Sequence, residues 1–515
     1  MRFYLFISFS LISHVLFSQK EATHWFFGSK AGLYFDPGGP SPLHGSAMNT
    51  QEGCAVISHK ETGELLFYSN GRNVWNRKHQ LMPNGRDFPD ECWSGITQSA
   101  LIVPFPGDDS KFYLFSIFYT TEPGGSIFIE QNCNYGQYAT PLFREVRYSL
   151  IDMTLDKGMG DVVADSKHVL LQLNATEKLV AVPHANENDY WIITHAFGSS
   201  DFYVYALTHE GISEPEITAI GSPHELKPDL FFADEEATGN MKASPDGTKL
   251  ACAVASRSRP FDLFDFNPAT GQIDNYINLG MVSGQYGLSF SPDNSKLYVT
   301  TDDRPEPNVY PHPDIIIQYD LNAGDVPSII ASRKSIFRDN PFTNVPGNGI
   351  FEGFLLLDKG LQLAPDGRLY STGDYAYSPT NGKVMVVIER PNEAGYDCRV
   401  NYKRFDFRNG NVGSGLPNFI ESYFNRIESG NTCSEGAALS IYPNPTYGIV
   451  HLNFLEGCDP YINITVFNAL GQRIAAFESN EQETEIDISA WANGIYFFVL
   501  STQYTQRLVR RITKV

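Results

Sequence analysis

Three stretches of the chain share one pattern: ASPDGTKLACAV (243–254), FSPDNSKLYVTT (290–301) and LAPDGRLYSTG (363–373). Each has Pro-Asp, then Gly or Asn, then a basic residue and a run of apolar positions. The proline presets φ for a turn, the aspartate caps it, and Gly or Asn accepts the positive φ of a tight hairpin. The alternation at Leu250, Cys252 and Val254 predicts a half-buried strand after the turn.

Looser copies of the same hairpin occur elsewhere in the chain. We predict turns at Glu61-Thr62-Gly63, at Asp108-Asp109 and from Asn186 to Asp189, each between two strand-like runs. Several copies continue into a further strand, as in FDFNPATGQI, which ends at Ile273. The chain therefore contains six recognisable units of roughly three to four antiparallel strands, about 45 to 80 residues apart.

Repeated units of this size predict an all-β fold, a WD-repeat-like β-propeller of six to seven blades. A parallel-sheet enzyme would need amphipathic helices between the strands, which the sequence lacks, and an array of sandwiches would repeat at a longer interval. We expect a closing blade that combines HWFFGSKAGLYF, from His24, with GLPNFIESYF (415–424). Long insertions, such as 121–141 and 304–313, become loops on the propeller faces.

The stretches WFFGSKAGLYF, EGCAVISHKETGELLFYSNGRNVWNRKHQLMPNG, TQSALIVPFPG and GLPNFIESYF resemble a family of exported propeller proteins from Bacteroidetes. The resemblance covers most of residues 24–424. It implies the propeller fold and a location outside the cell, and it implies no reaction.

The last part of the chain is a separate module of short strands. We predict strands at 449–454, 462–466, 474–477, 486–488, 495–500 and 508–512, with turns at Leu470-Gly471 and Asn493-Gly494. This number of strands in so short a segment is typical of a small immunoglobulin-like sandwich. Pro443 and Pro445 forbid helix and hold the chain extended before the first of these strands.

The same module resembles the type A C-terminal sorting domain of the type IX secretion system. The resemblance rests on YPNPTYGIVHL (442–452), VFNALGQRI (466–474), IDISAWANGIYFFVL (486–500) and RLVRRITKV (507–515). It implies recognition in the periplasm, passage across the outer membrane and usually removal afterwards. The alternative is an ordinary sandwich that packs on the propeller. The motif residues carried over from the family are Tyr442, Pro443, Asn444, Pro445, Gly448, Gly471, Gly494, Tyr496 and Lys514.

The N-terminus predicts export as well. Arg2 precedes an apolar run from Phe3 to Phe17, which is typical of a signal peptide over residues 1–18 with cleavage between Ser18 and Gln19. No later stretch is apolar enough to span a membrane, so we expect no transmembrane segment in the mature chain. We expect the propeller over 19–427, a small polar linker over 428–438 and the sorting domain over 439–515. The expected location is the medium or the outer cell surface.

Charge and motifs restrict the chemistry. The formal net charge of −21 argues against nucleic acid as a partner. The seven cysteines contain no CxxC pair, so a zinc site is not expected, although one or two disulfides are possible. The sequence shows no catalytic signature and no phosphate loop, so we predict no cofactor, no metal and no catalytic residue. His184 and His195 are interpreted as turn or core residues.

Two functions remain open. In the first, loops on one propeller face bind a glycan or a protein, and the candidate residues are Asp234, Glu235, Asp302, Asp303 and Arg304. In the second, the same carboxylates serve a hydrolase or lyase. Charged loops also keep an exposed rim soluble. Trp75, Trp93 and Trp191 could form a carbohydrate platform or fill the core between blades. Binding is favoured because the sequence contains no catalytic set.

Overall fold

Two compact units make up the chain, Met1–Asn425 and Arg426–Val515. The structure is a computed structural model. It describes residues 20–36, 39–87, 95–120, 122–125, 143–226, 235–256, 258–301, 314–339, 359–372, 383–425, 439–442, 445–454, 462–469, 472–479, 483–501 and 508–515.

The first unit contains seven antiparallel sheets among its described residues, and we number them as blades 1 to 7 in chain order. Blades 1 to 3 are built from β1 (His24–Phe27), β2 (Ala31–Asp36), β3 (Gly39–Pro42); β4 (Ala55–Ser58), β5 (Leu65–Ser69), β6 (Val74–Asn76); and β7 (Ala100–Phe105), β8 (Asp108–Thr120), β9 (Phe143–Asp152), β10 (Asp161–Val162), β11 (Val169–Gln172). Blade 4 is built from β12 (Ala175–Pro183), β13 (Tyr190–Ala196), β14 (Asp201–Thr208), β15 (Gly211–Ile212), β16 (Glu216–Ala219).

Blades 5 to 7 have four strands each in the described residues. Their strands are β17 (Met241–Ala243), β18 (Lys249–Cys252), β19 (Arg259–Asn267), β20 (Gln272–Val282); β21 (Leu288–Phe290), β22 (Lys296–Thr301), β23 (Asp314–Asp320), β24 (Lys334–Asp339); and β25 (Leu361–Leu363), β26 (Leu369–Thr372), β27 (Val384–Ile388), β28 (Val400–Arg404). The strands β4, β7, β12, β17, β21 and β25 contact one another in that succession around the channel. This arrangement is a β-propeller.

The predicted hairpins connect the first and second strands of blades 2 to 7. Gly247 and Gly367 have φ of 71° and 78°, as the turn pattern requires. In blade 3 the predicted position is wrong by one or two residues, because Gly107 takes the positive φ of 83° and Asp108 already begins β8. These turns share one end of the propeller, which we call the turn face. The opposite end, where Glu52, Thr97, Asn240 and Gly360 precede the inner strands, is the loop face.

The strands are more deeply buried than the alternation predicts. Every residue of β22 is buried, and in β18 Ala251 is as inaccessible as its neighbours Leu250 and Cys252. A propeller blade packs between two others, so both faces of its inner strands lie in the core. The half-buried pattern expected after the hairpins is therefore wrong. Trp75 and Cys252 are core residues, and the thiols of Cys54, Cys252 and Cys398 are free and buried.

Residues 411–425, which we call the strap, close the ring. Gly360, just before β25, donates its N–H to the Ser414 carbonyl at 2.7 Å. On the other side Pro417 forms a parallel bridge with Cys54, just before β4. The strap thus takes the innermost place of blade 1, as expected for GLPNFIESYF. It is not a ladder strand, however: it makes isolated bridges and ends in a 3-10 turn over Glu421–Phe424.

Blade 1 packs on the strap and on blade 7 through aromatic rings. Trp25 lies 5.9 Å from Phe419 of the strap and 5.9 Å from Tyr370 of blade 7, measured between ring centroids. Trp25 is fully buried. The two ends of the propeller sequence therefore meet in one aromatic cluster.

Helix is rare in the described part of the propeller. It comprises α1 (Leu155–Gly158) and α2 (Val326–Ala331), with 3-10 turns at Ala164–Ser166, Glu235–Ala237, Gly395–Cys398 and Glu421–Phe424. The Asp325 side chain accepts a hydrogen bond from Ser328 N and so caps α2.

The second unit contains two sheets among its described residues. One is ordered β29 (Leu439–Tyr442), β30 (Ile449–Phe454), β33 (Glu483–Asp487); the other is ordered β32 (Arg473–Ser479), β31 (Ile462–Asn468), β34 (Gly494–Ser501), β35 (Leu508–Lys514). Side chains from both sheets form one core, including Val450, Leu452, Val466 and Phe498. The sequence did not predict β29, in which Tyr442 pairs with His451 of β30.

Candidate functional site

Of the residues predicted on the ligand face, Asp234, Asp302, Asp303 and Arg304 lie outside the described residues, as does Trp93. Glu235 is half-buried, and its carbonyl accepts hydrogen bonds from Thr238 N (3.0 Å) and Oγ1 (2.8 Å). The neighbouring Glu236 is fully buried, accepts from Glu225 N at 2.7 Å and pairs with Arg259. The Glu236 side chain therefore connects the segment before blade 5 to Arg259 of that blade.

A small polar cavity, with room for about one water molecule, lies in the channel toward the loop face. Amide and hydroxyl side chains from different blades line it: Thr97, Gln98, Asn240, Tyr286 and Asn418. The ammonium of Lys242 also borders the cavity, and the carboxylate of Glu421 neutralises it at 2.6 Å. The walls thus carry little net charge, and the space between them admits a small uncharged polar molecule such as water.

Gln98 connects two inner strands beside this cavity. Its Oε1 accepts from Met241 N at 2.8 Å and from Leu179 N at 3.3 Å, while its Nε2 donates to the carbonyls of the same two residues. One side-chain amide thereby joins the main chains of β12 and β17. Nothing in the sequence TQSA indicates this role, because the partners are 81 and 143 residues away.

A second polar network connects blades 3 and 4 beside the cavity. The Glu177 carboxylate accepts from Thr97 N (2.9 Å) and Thr97 Oγ1 (2.7 Å) through one oxygen. Its other oxygen accepts from Arg144 Nε at 2.9 Å and from the Tyr119 hydroxyl at 3.1 Å. Arg144 and Tyr119 flank the long insertion between β8 and β9, so this buried carboxylate fixes both ends of that insertion at the loop face.

Three ionisable groups are buried between blades 4 and 5. Burial lowers the pKa of Lys178 to about 8, and Lys178 Nζ donates to the Thr238 carbonyl at 3.1 Å. Burial also lowers the pKa of His195 to about 3 and that of His224 well below its usual value. The two imidazoles stack with centroids 4.0 Å apart. His195 is a core residue, as interpreted from the sequence, and His184 lies in a turn where its Nδ1 accepts from Asn186 N.

The described residues contain no group of three or more His, Cys, Asp or Glu side chains placed to hold a metal ion. Among the same residues, no helix is long and apolar enough to cross a membrane.

Several motif residues of the second unit meet at one end of the sandwich. Thr446, next to Pro445, forms a parallel bridge with Lys514 and accepts a hydrogen bond from Val515 N at 3.0 Å. Lys514 also pairs with Gly494 across β34 and β35, and its Nζ donates to Asn493 Oδ1 at 3.4 Å. The sequence blocks around YPNP, NGIY and the final lysine are therefore neighbours in space.

Gly448 and Tyr496 belong to the same end of the sandwich. The Gly448 carbonyl accepts from Ile488 N at 2.7 Å, and a Cβ at this glycine would lie 3.0 Å from Ser489 Cβ. The Tyr496 hydroxyl donates to the Ala492 carbonyl at 2.8 Å. Pro443, Asn444 and Gly471 fall outside the described residues, and so do Ser18 and Gln19 at the predicted cleavage site.

The family model described as "Secretion system C-terminal sorting domain" matches residues 440–514. Residues 440–514 are a secretion-system sorting domain. The sorting domain is that of type IX secretion, and it indicates export of the protein to the cell surface or the medium. The prediction from the YPNP, LGQ and NGIY motifs is confirmed.

Solved structures with some likeness to the chain include several bacterial proteins of low sequence identity. A protein assigned as a 6-phosphogluconolactonase from Bacteroides uniformis has 12% identity and a TM-score of 0.37, covering 93% of this chain and 100% of its own. PorZ, a surface component of the type IX secretion system of Porphyromonas gingivalis, has 10% identity and a TM-score of 0.26. The match covers 95% of this chain and 69% of PorZ.

The periplasmic gluconolactonase PpgL of Pseudomonas aeruginosa has 9% identity and a TM-score of 0.34, covering 96% of this chain and 99% of its own. At these scores none of the three bears on activity. No curated protein matches the sequence.

Proposed function

We propose that this protein is carried by the type IX secretion machinery through its sorting domain, and that its propeller is a binding module for a glycan on the loop face. The sorting domain supports the first part. The convergence of Thr446, Asn493 and Lys514 at one end of the sandwich offers the machinery a single surface built from three motif blocks.

The polar cavity supports the second part. Its amides and hydroxyls come from several blades, and its one ammonium is already neutralised by Glu421. Sugar hydroxyls both donate and accept hydrogen bonds, so they match the side-chain amide of Asn240, which borders the cavity at the loop face.

Export is tested with two chains in the native host. A chain ending at Glu428 should fold and melt like the full-length protein but stay in the periplasm. A fluorescent protein carrying a signal peptide and residues 429–515 should reach the surface or the medium, and only in cells with a working type IX system. Arrival of the shortened propeller at the surface would show that the sorting domain is dispensable.

Ligand binding is tested on a panel of neutral and acidic polysaccharides. Asn240→Ala removes one cavity amide and should weaken binding of a neutral glycan, whereas Glu61→Gln, in an exposed hairpin of the turn face, should not. Equal binding by both variants would exclude the cavity. Release of reducing ends from any polysaccharide, abolished by Asp302→Asn or Asp234→Asn, would replace the binding proposal with a hydrolase or lyase.

A further inference from the structure

The strap is held differently from the inner strands of the other blades. In blades 2 to 7 the inner strand pairs in an antiparallel ladder with the next strand of its own blade; β21 with β22 and β25 with β26 are examples. Within the described residues, the strap makes only isolated bridges, from Asn411 to Ser29 and Lys30 and from Pro417 to Cys54. Release of the strap would therefore break no ladder, although its apolar side chains, Leu416, Phe419 and Ile420 among them, belong to the hydrophobic core.

Main-chain groups of the strap are recognised near the loop face. The Ser414 carbonyl accepts from Gly360 N at 2.7 Å and from Thr372 Oγ1 at 2.9 Å, while Ser414 N donates to the Gln51 carbonyl at 2.7 Å. The main chain passes so close to blade 2 that a Cβ at Gly415 would lie 2.3 Å from the Glu52 carbonyl carbon. Only glycine fits at this point.

Asn418 is recognised in the middle of the channel by groups from three blades. Its N–H donates to the Cys54 carbonyl at 2.8 Å, and its side-chain Nδ2 donates to the carbonyls of Ala100 (3.3 Å) and Leu179 (3.1 Å). Its Oδ1 accepts from Gln98 Nε2 at 3.2 Å. A side chain that lacks the carbonyl oxygen or the amino group of this amide would leave a buried donor or acceptor unsatisfied.

Glu421 is recognised by charge. Its carboxylate accepts from Lys242 Nζ at 2.6 Å and from Gln362 Nε2 at 3.2 Å. The side chains of Lys242 and Glu421 are each only 3% exposed. An occupant without this carboxylate would leave the Lys242 ammonium buried without its counter-ion, which is strongly unfavourable. The channel therefore requires an occupant with a carboxylate at this position.

A turn on the loop face leads into the strap. Arg408 has a positive φ of 53°, and Arg408 and Asn409 are exposed, whereas the strap that follows is mostly buried. Domain swapping in other proteins proceeds through short hinge segments of this kind.

We propose that the channel is a binding site for one extended segment, residues 411–425, and that a second copy of this chain can supply that segment. The partner is defined by Ser414, Asn418 and Glu421 of the incoming strap, which meet the same receptor groups that bind them within one chain. Exchange of straps between two copies would join two propellers, each closed by the other's strap.

The first test shortens the hinge of the full chain. Deleting Arg408 and Asn409 should prevent the strap from reaching its own channel and so produce a dimer, measured by light scattering after size exclusion. Inserting two glycines at the same place should leave a monomer. A monomer from the shortened chain, or disordered aggregates in place of a dimer, would overturn the proposal.

The second test uses a chain with a specific protease site inserted between Arg408 and Asn409. After cleavage, a fluorescent peptide of residues 409–425 should replace the resident strap, followed by anisotropy. The matched Glu421→Gln peptide should compete more weakly by on the order of 100-fold, because it leaves Lys242 unpaired. Unfolding on cleavage, no exchange, or equal competition by the two peptides would each contradict the proposal.

Discussion

Lys242 Nζ and Glu421 Oε1 lie 2.6 Å apart in the channel, although the residues are 179 positions apart in the chain. One belongs to the inner strand of blade 5 and the other to the strap. The pair therefore joins the middle of the propeller sequence to its end, and both side chains are buried.

Breaking this pair should be costly. Lys242→Met leaves the Glu421 carboxylate buried without a partner and should reduce the free energy of unfolding by about 3 to 5 kcal/mol, measured by urea denaturation. Combining it with Glu421→Met should recover most of the loss, because two apolar side chains need no counter-ion. Lys60→Met breaks the exposed pair with Asp109 and should change little. If the double variant is no more stable than the single one, the two side chains do not act as a pair.

The hairpin of blade 5 should not tolerate a side chain at Gly247. This glycine has φ of 71°, and a Cβ there would lie 3.0 Å from Val182 Cγ1. Gly247→Val should therefore reduce stability by roughly 1 kcal/mol or more, seen as a lower midpoint of thermal unfolding. Gly95→Ala, at an exposed position where a Cβ meets nothing closer than 4.0 Å, is the matched control. Equal midpoints for both variants would mean that the turn carries no constraint.

Stability should fall on acidification because of the buried histidines. Burial lowers the pKa of His195 to about 3 and that of His24 to about 4, so the unfolded chain binds more protons than the folded one below its usual histidine pKa of about 6.5. The contribution of these histidines to the free energy of unfolding is fully present above a pH of about 6.5. It is lost progressively as the pH falls toward their pKa values in the folded protein. Between pH 6.5 and 5 each histidine should contribute a loss of roughly 1 to 2 kcal/mol.

The measurement is the unfolding free energy as a function of pH. His195→Phe keeps a ring against Phe202 and His224 but cannot take up a proton, so its curve should be flatter than that of the wild type. His209→Phe, at an exposed position, should leave the slope unchanged. If the His195→Phe variant keeps the wild-type slope, groups other than His195 cause the pH dependence.

Export should respond to Gly448 independently of the propeller. Gly448→Val forces a side chain against Ser489, where a Cβ alone would be 3.0 Å from Ser489 Cβ, and should distort the end of the sorting domain. We expect loss of the protein from the surface fraction, with the unfolding midpoint of the propeller unchanged. Tyr447→Ala changes the adjacent, 86% exposed residue and is the control. Normal export of the valine variant would contradict a role for this end of the sandwich.

Much of the fold follows from local sequence. The Pro-Asp-Gly turns of blades 5 and 7 and the looser turns of blades 2 and 4 were predicted because φ preferences and side-chain caps act within a few residues. The sorting domain was predicted from contiguous motif blocks. The deep burial of β18 and β22 was not predicted. An alternating pattern indicates a strand with one buried face, whereas the inner strands of a blade are buried on both faces.

The candidate sites depend on contacts that no local pattern encodes. No local motif marks Gln98, Asn418 or Lys242 in the sequence. The acidic loops were chosen as candidate sites because their charges are clustered in the sequence. Only ring closure brings Asn418 within reach of Gln98, 320 residues away. The sequence alone determined the turns, the strands and the export signal, because these depend on neighbouring residues. The tertiary structure decided which polar side chains share the channel, because in a ring of blades that follows from which inner strands and strap meet at the axis.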